Sequence, residues 1–306
     1  MLLHEILQNG RGEDIAVIDR GRRITYDELR EALRASRDRL YEAGVRAHDH
    51  VALFSHNRAE LLIAYLAVNS LGAVAVPLNY QLSVREVAYI IKDAGVRHLV
   101  TEKELPLESH LGQQGYGGEL RQLPLLDALK PASAMPAPEL PRIFSPENPC
   151  VIIYTSGTTG RPKGVELPHR CWTYEGHSMR LMWDGVVDET DSLYLWLPLS
   201  HVFGRDLVAT QLAIGFRMVV DGRINRIVEG MGETGPTIQV GVPRIYEKIR
   251  ATVMTMNPSR GLKGRVSRWA FAVGRESRAY RLEGRSMPWD ARVRYSIADR
   301  LVFRRL

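Results

Sequence analysis

Cysteine is scarce in this 306-residue sequence, which contains only Cys150 and Cys171. Two cysteines cannot form the dense disulfide framework of small secreted proteins, so we expect reduced thiols and a cytoplasmic protein. The sequence also lacks any run of about 18 apolar residues, which a membrane-spanning helix would require. Its first residues, Met-Leu-Leu-His-Glu-Ile, have neither the basic region nor the cleavage site of a signal peptide. These absences exclude a disulfide-stapled scaffold and an integral membrane protein.

The composition that remains is that of a globular protein, with 45% hydrophobic and 25% charged residues. Strand and helix patterns alternate from Asp14 to about Val100, which predicts βαβ units and a largely parallel sheet. Six prolines between Pro131 and Pro149 predict a connector, because proline neither continues a helix nor donates in a central strand. A second α/β segment starts at Cys150. The predicted segments are a first α/β subdomain at 1–130, a connector at 131–149 and a second α/β subdomain at 150–306.

The most informative segment joins an apolar strand to a loop rich in glycine, hydroxyl groups and cations. Residues 151–154 are apolar and β-branched or aromatic, which predicts a buried strand. Gly157, Gly160 and Gly164 allow the backbone after it to turn its N–H groups toward an anion. Further donors are the side chains of Thr155, Ser156, Thr158, Thr159, Arg161 and Lys163. The pattern predicts a phosphate-binding loop.

A flexible linker would have a similar composition, but a linker rarely follows directly from a continuous apolar strand. The common nucleotide-triphosphatase loop requires Gly before its lysine and Ser or Thr after it. Here Lys163 follows Pro162 and precedes Gly164, so that motif is excluded. Phosphate binding of a different type is the prediction.

Residues 154–165, Tyr-Thr-Ser-Gly-Thr-Thr-Gly-Arg-Pro-Lys-Gly-Val, resemble the signature loop of the adenylate-forming (AMP-binding) superfamily. This superfamily includes acyl-CoA synthetases, peptide-synthetase adenylation domains and luciferases. The resemblance implies that the loop closes over the β- and γ-phosphates of ATP while a carboxylate attacks the α-phosphate. An acyl-adenylate and pyrophosphate would result. The implied phosphate-binding residues are Thr155, Ser156, Gly157, Thr158, Thr159, Gly160 and Lys163, with Lys163 as a catalytic residue.

Further segments extend the resemblance over nearly the whole chain. Residues 24–29 resemble the family's opening segment, and residues 50–57 and 72–79 resemble its early strand–helix–strand unit. Residues 197–204, Leu-Pro-Leu-Ser-His-Val-Phe-Gly, resemble its substrate-side motif. Residues 241–249 resemble a segment of the long-chain acyl-CoA synthetase branch. The implied fold is the α/β class, as an incomplete large N-terminal domain of an adenylate-forming enzyme with mostly parallel sheets and flanking helices.

The resemblance also implies which residues face the acyl substrate: His201, Val202, Phe203 and Gly241. His201 would be a catalytic residue that positions the carboxylate or gates the acyl tunnel; a purely structural histidine is the alternative. We do not assign His201 as a general base, because a carboxylate nucleophile is already ionised at neutral pH. Some family members carry an aromatic gate four residues after this histidine, where the present sequence has Arg205.

Three segments that the family requires are absent from these 306 residues. They are an aromatic-Gly-x-Thr-Glu segment with a magnesium-binding carboxylate, a Thr-Gly-Asp segment for the ribose, and a small C-terminal domain with a catalytic lysine. Residues 116–119 resemble the first only superficially, since they lack the threonine and precede the phosphate loop. We therefore expect a truncated N-terminal part that is inactive alone. The implied cofactors are ATP and Mg²⁺, with coenzyme A as co-substrate, and no metal ligand is assigned within this chain.

The function implied by the resemblance is ATP-dependent activation of a long-chain fatty acid and its transfer to coenzyme A. The chain would be the N-terminal part of a long-chain fatty-acid–CoA ligase. Two alternatives stay open. One is a fatty acyl-AMP ligase that loads a carrier protein. The other is a non-catalytic truncated remnant that binds nucleotide or a partner.

Positive charge is concentrated in a basic tail, residues 259–306, with thirteen Lys or Arg against four Asp or Glu. Its net charge of +9 exceeds the +6 of the whole chain. Apolar residues recur there at helical spacing, which predicts two amphipathic helices with solvated basic faces. Peripheral contact with an acidic membrane surface, or with the phosphates of coenzyme A, is the open alternative. We expect no nucleic-acid partner, because no aromatic platform or recognition motif accompanies the charge.

Overall fold

The computed structural model describes residues 1–127, 136–139, 144–155, 161–256 and 261–305. Contacts divide the chain into two compact units, Met1–Val240 and Gly241–Leu306. The first unit spans the predicted segments 1–130 and 131–149 and part of the segment 150–306. The bounds of these three segments therefore remain a prediction. Residues 156–160 of the phosphate loop and part of the proline-rich connector lie outside the described residues.

The elements of the first unit alternate between strands and helices. The strands are β1 (Ile15–Asp19), β2 (Arg22–Thr25), β3 (His50–Phe54), β4 (Val74–Leu78), β5 (His98–Thr101), β6 (Arg121–Pro124), β7 (Pro149–Thr155), β8 (Lys163–Pro168), β9 (Ser192–Leu195) and β10 (Arg217–Val220). The helices are α1 (Tyr26–Glu42), α2 (Ala59–Ser70), α3 (Val84–Asp93), α4 (Glu108–Gln113), α5 (His169–Met182), α6 (Val202–Ile214) and α7 (Ile227–Thr234). Short 3₁₀ helices occur at Leu3–Asn9 and Ile224–Arg226.

A six-stranded sheet carries the predicted phosphate strand. Its order is β6-β5-β3-β4-β7-β8, and every neighbouring pair is parallel except the β7–β8 hairpin. All five residues of β4 are buried. This agrees with its continuous apolar sequence, which is typical of a parallel strand covered on both faces. The predicted strand at residues 151–154 forms most of β7, and the prediction of a largely parallel sheet is confirmed.

A second sheet of four strands has the order β2-β1-β10-β9. β1 pairs parallel with β10 and β10 pairs parallel with β9, whereas β2 is antiparallel to β1. Residues 237–238, near the end of the first unit, lie beside β9, since the backbone N–H groups of Thr237 and Ile238 both donate to the carbonyl of Ser192. The first and last strands of the unit therefore belong to one sheet.

Helix α2 lies between the two sheets, because it contacts β1 of one and β3 and β4 of the other. All twelve of its residues are buried, as its apolar sequence requires. Asp19, at the end of β1, accepts a hydrogen bond from the backbone N–H of Ala59 at 3.0 Å and so caps the helix. The buried carboxylate of Glu60 is matched by Arg22 at 2.5 Å and Arg58 at 2.7 Å. Burial alone would raise the pKa of Glu60, but these partners outweigh it and the pKa is lowered.

The second unit contains α8 (Pro243–Met256), α9 (Gly261–Leu282), α10 (Trp289–Leu301) and a 3₁₀ turn at Phe303–Arg305. Helices α9 and α10 pack through a small apolar cluster of Ala270, Val273, Ala298 and Val302. The two helices predicted for the basic tail are present. Within the described residues, no helix combines the length and apolarity that crossing a membrane requires.

Candidate functional site

The strand order creates a crevice at the carboxyl ends of β3 and β4. The chain passes from β3 through α2 to β4 on one side, and then through α3 to β5 on the other side of β3. Crossovers of the usual hand place α2 and α3 on opposite faces of the sheet. In open α/β sheets, such a reversal point leaves a crevice where ligands bind. Polar groups that follow β3, β4 and their neighbours are therefore candidates for ligand contact.

The hairpin of β7 and β8 presents the two ends of the predicted phosphate loop. Thr155 and Lys163 are paired across the hairpin, and both are exposed. Helix α3 supports the hairpin at two points. The Tyr154 hydroxyl donates to Asp93 at 2.6 Å, and the Tyr89 hydroxyl donates to the carbonyl of Pro162 at 3.3 Å. Burial, reinforced by the Asp93 carboxylate, raises the pKa of Tyr154, so its hydroxyl keeps the proton that it donates.

His201 lies at the start of α6, where it contacts the end of β4. Its Nε2 atom is 3.3 Å from Nδ2 of Asn79. Since an amide nitrogen only donates, Nε2 is the acceptor in this contact. The pairing of Ala75 with Val151 in neighbouring strands brings Asn79 and Thr155, each four residues further on, to the same edge of the sheet. The predicted acyl-side histidine and the start of the phosphate loop therefore lie at adjacent strand ends.

Asn57 holds the segment that leads to His201. Its Nδ2 atom donates to the carbonyl of Leu197 at 2.6 Å, and its Oδ1 atom accepts from the N–H of Leu199 at 3.0 Å. Asn57 is buried, so both bonds are shielded from water. Sequence reasoning did not single out Asn57 or Asn79, which the structure places against the segment of His201. The available signal was that each closely follows an apolar strand at the crevice.

A third polar group of the crevice is Glu102, which follows β5. Its Oε2 atom accepts from the Ser55 hydroxyl at 3.0 Å and from the His56 N–H at 3.1 Å, and it lies 3.1 Å from His56 Nδ1. Burial would raise the pKa of Glu102, but the hydrogen bonds from His56 and Ser55 outweigh it and lower the pKa. Glu102 is thus held as a carboxylate that joins the ends of β3 and β5, which stiffens the wall beside Asn79.

The fold and the sequence agree on a family. The AMP-binding enzyme family model matches residues 5–280. The chain belongs to the AMP-binding enzyme family. The resemblance inferred from residues 154–165 is therefore confirmed, as is the fold expected for an N-terminal domain of this family.

Individual relatives add detail. The chain is 29% identical over 302 residues to the long-chain-fatty-acid–CoA ligase FadD15 of Mycobacterium tuberculosis, and the match covers 92% of this chain and 49% of that ligase. Among solved structures, it resembles o-succinylbenzoate CoA synthetase (MenE) from Bacillus subtilis in complex with the acyl-adenylate intermediate OSB-AMP. That match has a TM-score of 0.70 at 25% identity and covers 82% of this chain and 50% of MenE. The same synthetase in complex with ATP and magnesium ion gives a TM-score of 0.65 at 25% identity, covering 78% and 62%. The chain spans about half the length of the curated relatives it matches.

The structure places two of the three remaining predicted acyl-side residues directly beside His201. Val202 and Phe203 form the first turn of α6 beside His201, and they are 50% and 38% exposed, so both are accessible from solvent. Gly241 begins the second compact unit. His201, Val202 and Phe203 therefore form one exposed group, and the role predicted for Gly241 stays a prediction.

Arg205, at the position where some family members carry an aromatic gate, is buried in the first unit. Its side chain donates from Nε to the carbonyl of Leu199 at 2.7 Å, and its guanidinium stacks on the Tyr65 ring at 3.6 Å. Residue 205 is one helical turn beyond His201, so both side chains lie on the same face of α6. On this face of α6, His201 is exposed and Arg205, one turn later, is buried.

Burial makes Cys150 a poor candidate nucleophile, and the described residues contain no cluster suited to a metal ion. Both cysteines are free, and burial raises the pKa of the Cys150 thiol to about 12, so it stays protonated. Across the described residues, no group of three or more His, Cys, Asp or Glu side chains is arranged to hold a metal ion. The donors that flank the phosphate loop, Arg161 and Lys163, instead suit an anion.

Proposed function

We propose that this chain provides the ATP-binding and acid-binding half of an enzyme that activates a long-chain fatty acid and transfers it to coenzyme A. The observation that carries the proposal is the supported β7–β8 hairpin. It presents Thr155 and Lys163 at the strand end next to the one that contacts His201. Membership of the AMP-binding family and the complexes of the similar synthetase with ATP and an acyl-adenylate support the same reaction.

The chemistry assigns a role to each side of the site. When the acid attacks the α-phosphate, negative charge develops on the departing pyrophosphate. Preorganised donors stabilise that charge most, and here they would be the Lys163 ammonium, the Thr155 hydroxyl and the donors of residues 156–160. His201, held by Asn79, would orient the carboxylate of the acid. Mg²⁺ would neutralise phosphate charge, but we assign it no ligand among the described residues and no step depends on it.

The identities proposed for the acid and for the acceptor rest on similarity alone. FadD15 is a ligase for long-chain fatty acids, whereas the synthetase of similar structure acts on o-succinylbenzoate. Coenzyme A is the acceptor in both names. A carrier protein as acceptor, and a non-catalytic chain that only binds nucleotide, remain the alternatives to test.

ATP binding to the 306-residue chain tests the phosphate assignment directly. Lys163→Ala should weaken ATP binding about 10- to 100-fold in calorimetric titration, because a charge-assisted hydrogen bond is worth about 1.5–3 kcal/mol. Lys92→Ala is the matched control, since Lys92 is an exposed lysine on the neighbouring helix α3. Equal ATP affinity of the Lys163→Ala variant and the unsubstituted chain would refute the assignment.

Turnover requires the motifs that these residues lack, so we expect no acyl-CoA from the 306-residue chain alone. A chimera with the C-terminal half of FadD15 supplies those motifs. In it, Lys163→Ala should lower kcat/KM for ATP roughly 10²- to 10³-fold, while His201→Ala should mainly change the parameters for the fatty acid. Loss of fatty-acid affinity in both variants with unchanged ATP kinetics would contradict the proposed division of roles. Replacing coenzyme A with a carrier protein in the same assay distinguishes the acceptors.

A further inference from the structure

A second histidine, His56, lies at the strand end next to the one that contacts His201. The parallel register of β3 with β4 brings His56 beside Tyr80, and the centroids of their rings are 3.6 Å apart. Tyr80 directly follows Asn79, whose side chain contacts His201 at 3.3 Å. His56 and His201 therefore both contact the two-residue segment that follows β4.

Glu102 determines which nitrogen of the His56 ring carries a proton. Glu102 Oε2 lies 3.1 Å from His56 Nδ1 and also accepts the backbone N–H of His56 at 3.1 Å. Burial would raise the pKa of Glu102, but the hydrogen bonds from His56 and Ser55 outweigh it and lower the pKa, so the side chain is a carboxylate. A carboxylate only accepts, so Nδ1 is the donor of this bond. In the neutral ring, the nitrogen without a proton is then Nε2.

The Nε2 atom of His56 is available to a ligand. The side chain is 41% exposed, and among the described residues its ring bonds to Glu102 through Nδ1 only. His201 has the opposite arrangement, because its Nε2 accepts from Asn79 and its Nδ1 carries the proton of the neutral ring. One imidazole of the site can therefore donate to a carboxylate, and the other can accept a proton.

The proposed reaction contains one step that needs a proton acceptor. The acid attacks as a carboxylate that is already ionised at neutral pH, so formation of the adenylate requires no base. Coenzyme A attacks as a thiol, and an ordinary thiol, with a pKa of about 8.5, is mostly protonated at neutral pH. A histidine oriented by a carboxylate is a recurring arrangement for activating a protonated nucleophile.

We propose that His56, oriented by Glu102, is the general base that removes the proton from the thiol of coenzyme A. The proton passes from sulfur to Nε2 of His56, and the sulfur electron pair forms the bond to the acyl carbonyl carbon. The bond from that carbon to the AMP oxygen breaks, AMP leaves with its electron pair, and His56 returns the proton to water. This inference rests on the proposed function and concerns its second half-reaction.

The chimera with the C-terminal half of FadD15 separates the two half-reactions. Fatty-acid-dependent exchange of pyrophosphate into ATP without coenzyme A measures formation of the adenylate. Single turnover of preformed acyl-adenylate with saturating coenzyme A measures thiol transfer. His56→Asn keeps an amide donor for Glu102 but no base, so it should slow thiol transfer about 10²- to 10⁴-fold near pH 7 and change exchange less than about twofold. The control His177→Asn replaces an exposed histidine of α5 and should change neither rate.

The pH dependence separates a base from a histidine that only supports the structure. The difference in thiol transfer between His56→Asn and the unsubstituted chimera should shrink toward about pH 9.5, where most of the thiol is ionised without a base. A structural defect would persist at every pH. The charged groups near the His56 ring are Glu102, Arg58 at 3.5 Å from Glu102 Oε1, and Lys103, whose ammonium is 5.4 Å from the centre of the Tyr80 ring. Lys103→Met should keep the pH dependence of the unsubstituted chimera.

The outcomes distinguish this inference from the proposed function. No pyrophosphate exchange by the unsubstituted chimera would overturn both. Normal exchange with equal thiol transfer in His56→Asn and the unsubstituted chimera would overturn the role of His56 alone. If His56→Asn does not fold, Glu102→Gln decides the question. It keeps the imidazole but removes the charge that orients the ring and stabilises its protonated form, so thiol transfer should slow by about tenfold or more while exchange continues. Unchanged thiol transfer in Glu102→Gln would then refute the assignment of His56.

Discussion

Acid should destabilise the first unit through a histidine that the fold holds neutral. His169, the first residue of α5, is fully buried, and its Nδ1 atom accepts a hydrogen bond from the backbone N–H of Leu3 at 3.1 Å. Its ring faces His4 edge-on, with ring centroids 6.4 Å apart. Burial first, and then the positive charges of His4 and the N-terminus, lower its pKa from 6.5 to about 4. Protonation would also break the bond to Leu3, which anchors the N-terminal 3₁₀ helix.

The sign and size of the effect follow from this pKa. The folded state resists a proton that the unfolded chain accepts below about pH 6.5, so the stability contribution is full above that pH and is lost as pH falls toward 4. For a shift from 6.5 to about 4, lowering the pH from 7 to 5 costs about 2 kcal/mol from His169 alone. His4 has a similarly lowered pKa, again mainly through burial, and adds to the loss.

The measurement is urea unfolding, monitored by tryptophan fluorescence at pH 7 and pH 5. His169→Gln keeps an acceptor for the Leu3 N–H but cannot be protonated, so its loss of unfolding free energy should be about 2 kcal/mol smaller. His177→Gln, which replaces an exposed histidine of the same helix, should behave like the unsubstituted chain. If His169→Gln loses as much stability in acid as the unsubstituted chain, His169 is not the group responsible.

Two further outcomes test the hairpin and the basic tail. Tyr154→Phe removes the hydrogen bond to Asp93 that holds β7 on α3, so ATP binding should weaken about tenfold in titration. The control variant Tyr116→Phe removes a hydroxyl bond to the Val96 carbonyl and should not change ATP binding. Unchanged ATP binding in Tyr154→Phe would show that the bond to Asp93 does not position the loop. Helix α10 carries an exposed apolar stripe of Trp289, Val293, Ile297 and Leu301 beside basic residues. If the basic tail binds membranes, the chain should sediment with vesicles rich in phosphatidylserine but not with phosphatidylcholine vesicles. Trp289→Ser should reduce the fraction of the chain that sediments several-fold. Equal sedimentation of Trp289→Ser and the unsubstituted chain would exclude α10 as the membrane contact.

The proposed activity requires some residues to bind the ligand and others to hold those residues in position. Lys163 and Thr155 are exposed at the end of the β7–β8 hairpin and are accessible to a ligand. Asn57, Glu102 and Asp93 instead act through their hydrogen-bonded neighbours. A hydrogen bond that is shielded from water keeps a side chain or backbone in one arrangement at little cost on binding. The strand ends of the six-stranded sheet therefore support the loop and the histidine that are proposed to contact the ligand.

The amino-acid sequence by itself determined the family and the fold class, and it predicted the phosphate loop. These features are local: residues 151–154 form a strand because they are apolar and favour β structure, and the Gly, Thr and Lys residues after them suit an anion whatever surrounds them. The alternation of strands and helices likewise predicted parallel sheets, since a parallel pair needs a long crossover connection. The resemblance of residues 197–204 to the family's substrate-side motif predicted a role for His201, which stays a prediction.

Tertiary structure alone decided which distant residues meet. The contact of His201 with Asn79 joins positions 122 residues apart, and the bond between Asn57 and Leu197 joins positions 140 apart. No periodicity specifies such pairs, because they depend on strand order and register across the whole unit. Arg205 shows the same limit. Its charge predicts a solvent-exposed side chain, but its place on the inner face of α6 stacks it on Tyr65 in the core. Burial is a property of the assembled helices and sheets, and a single position in the sequence does not contain it.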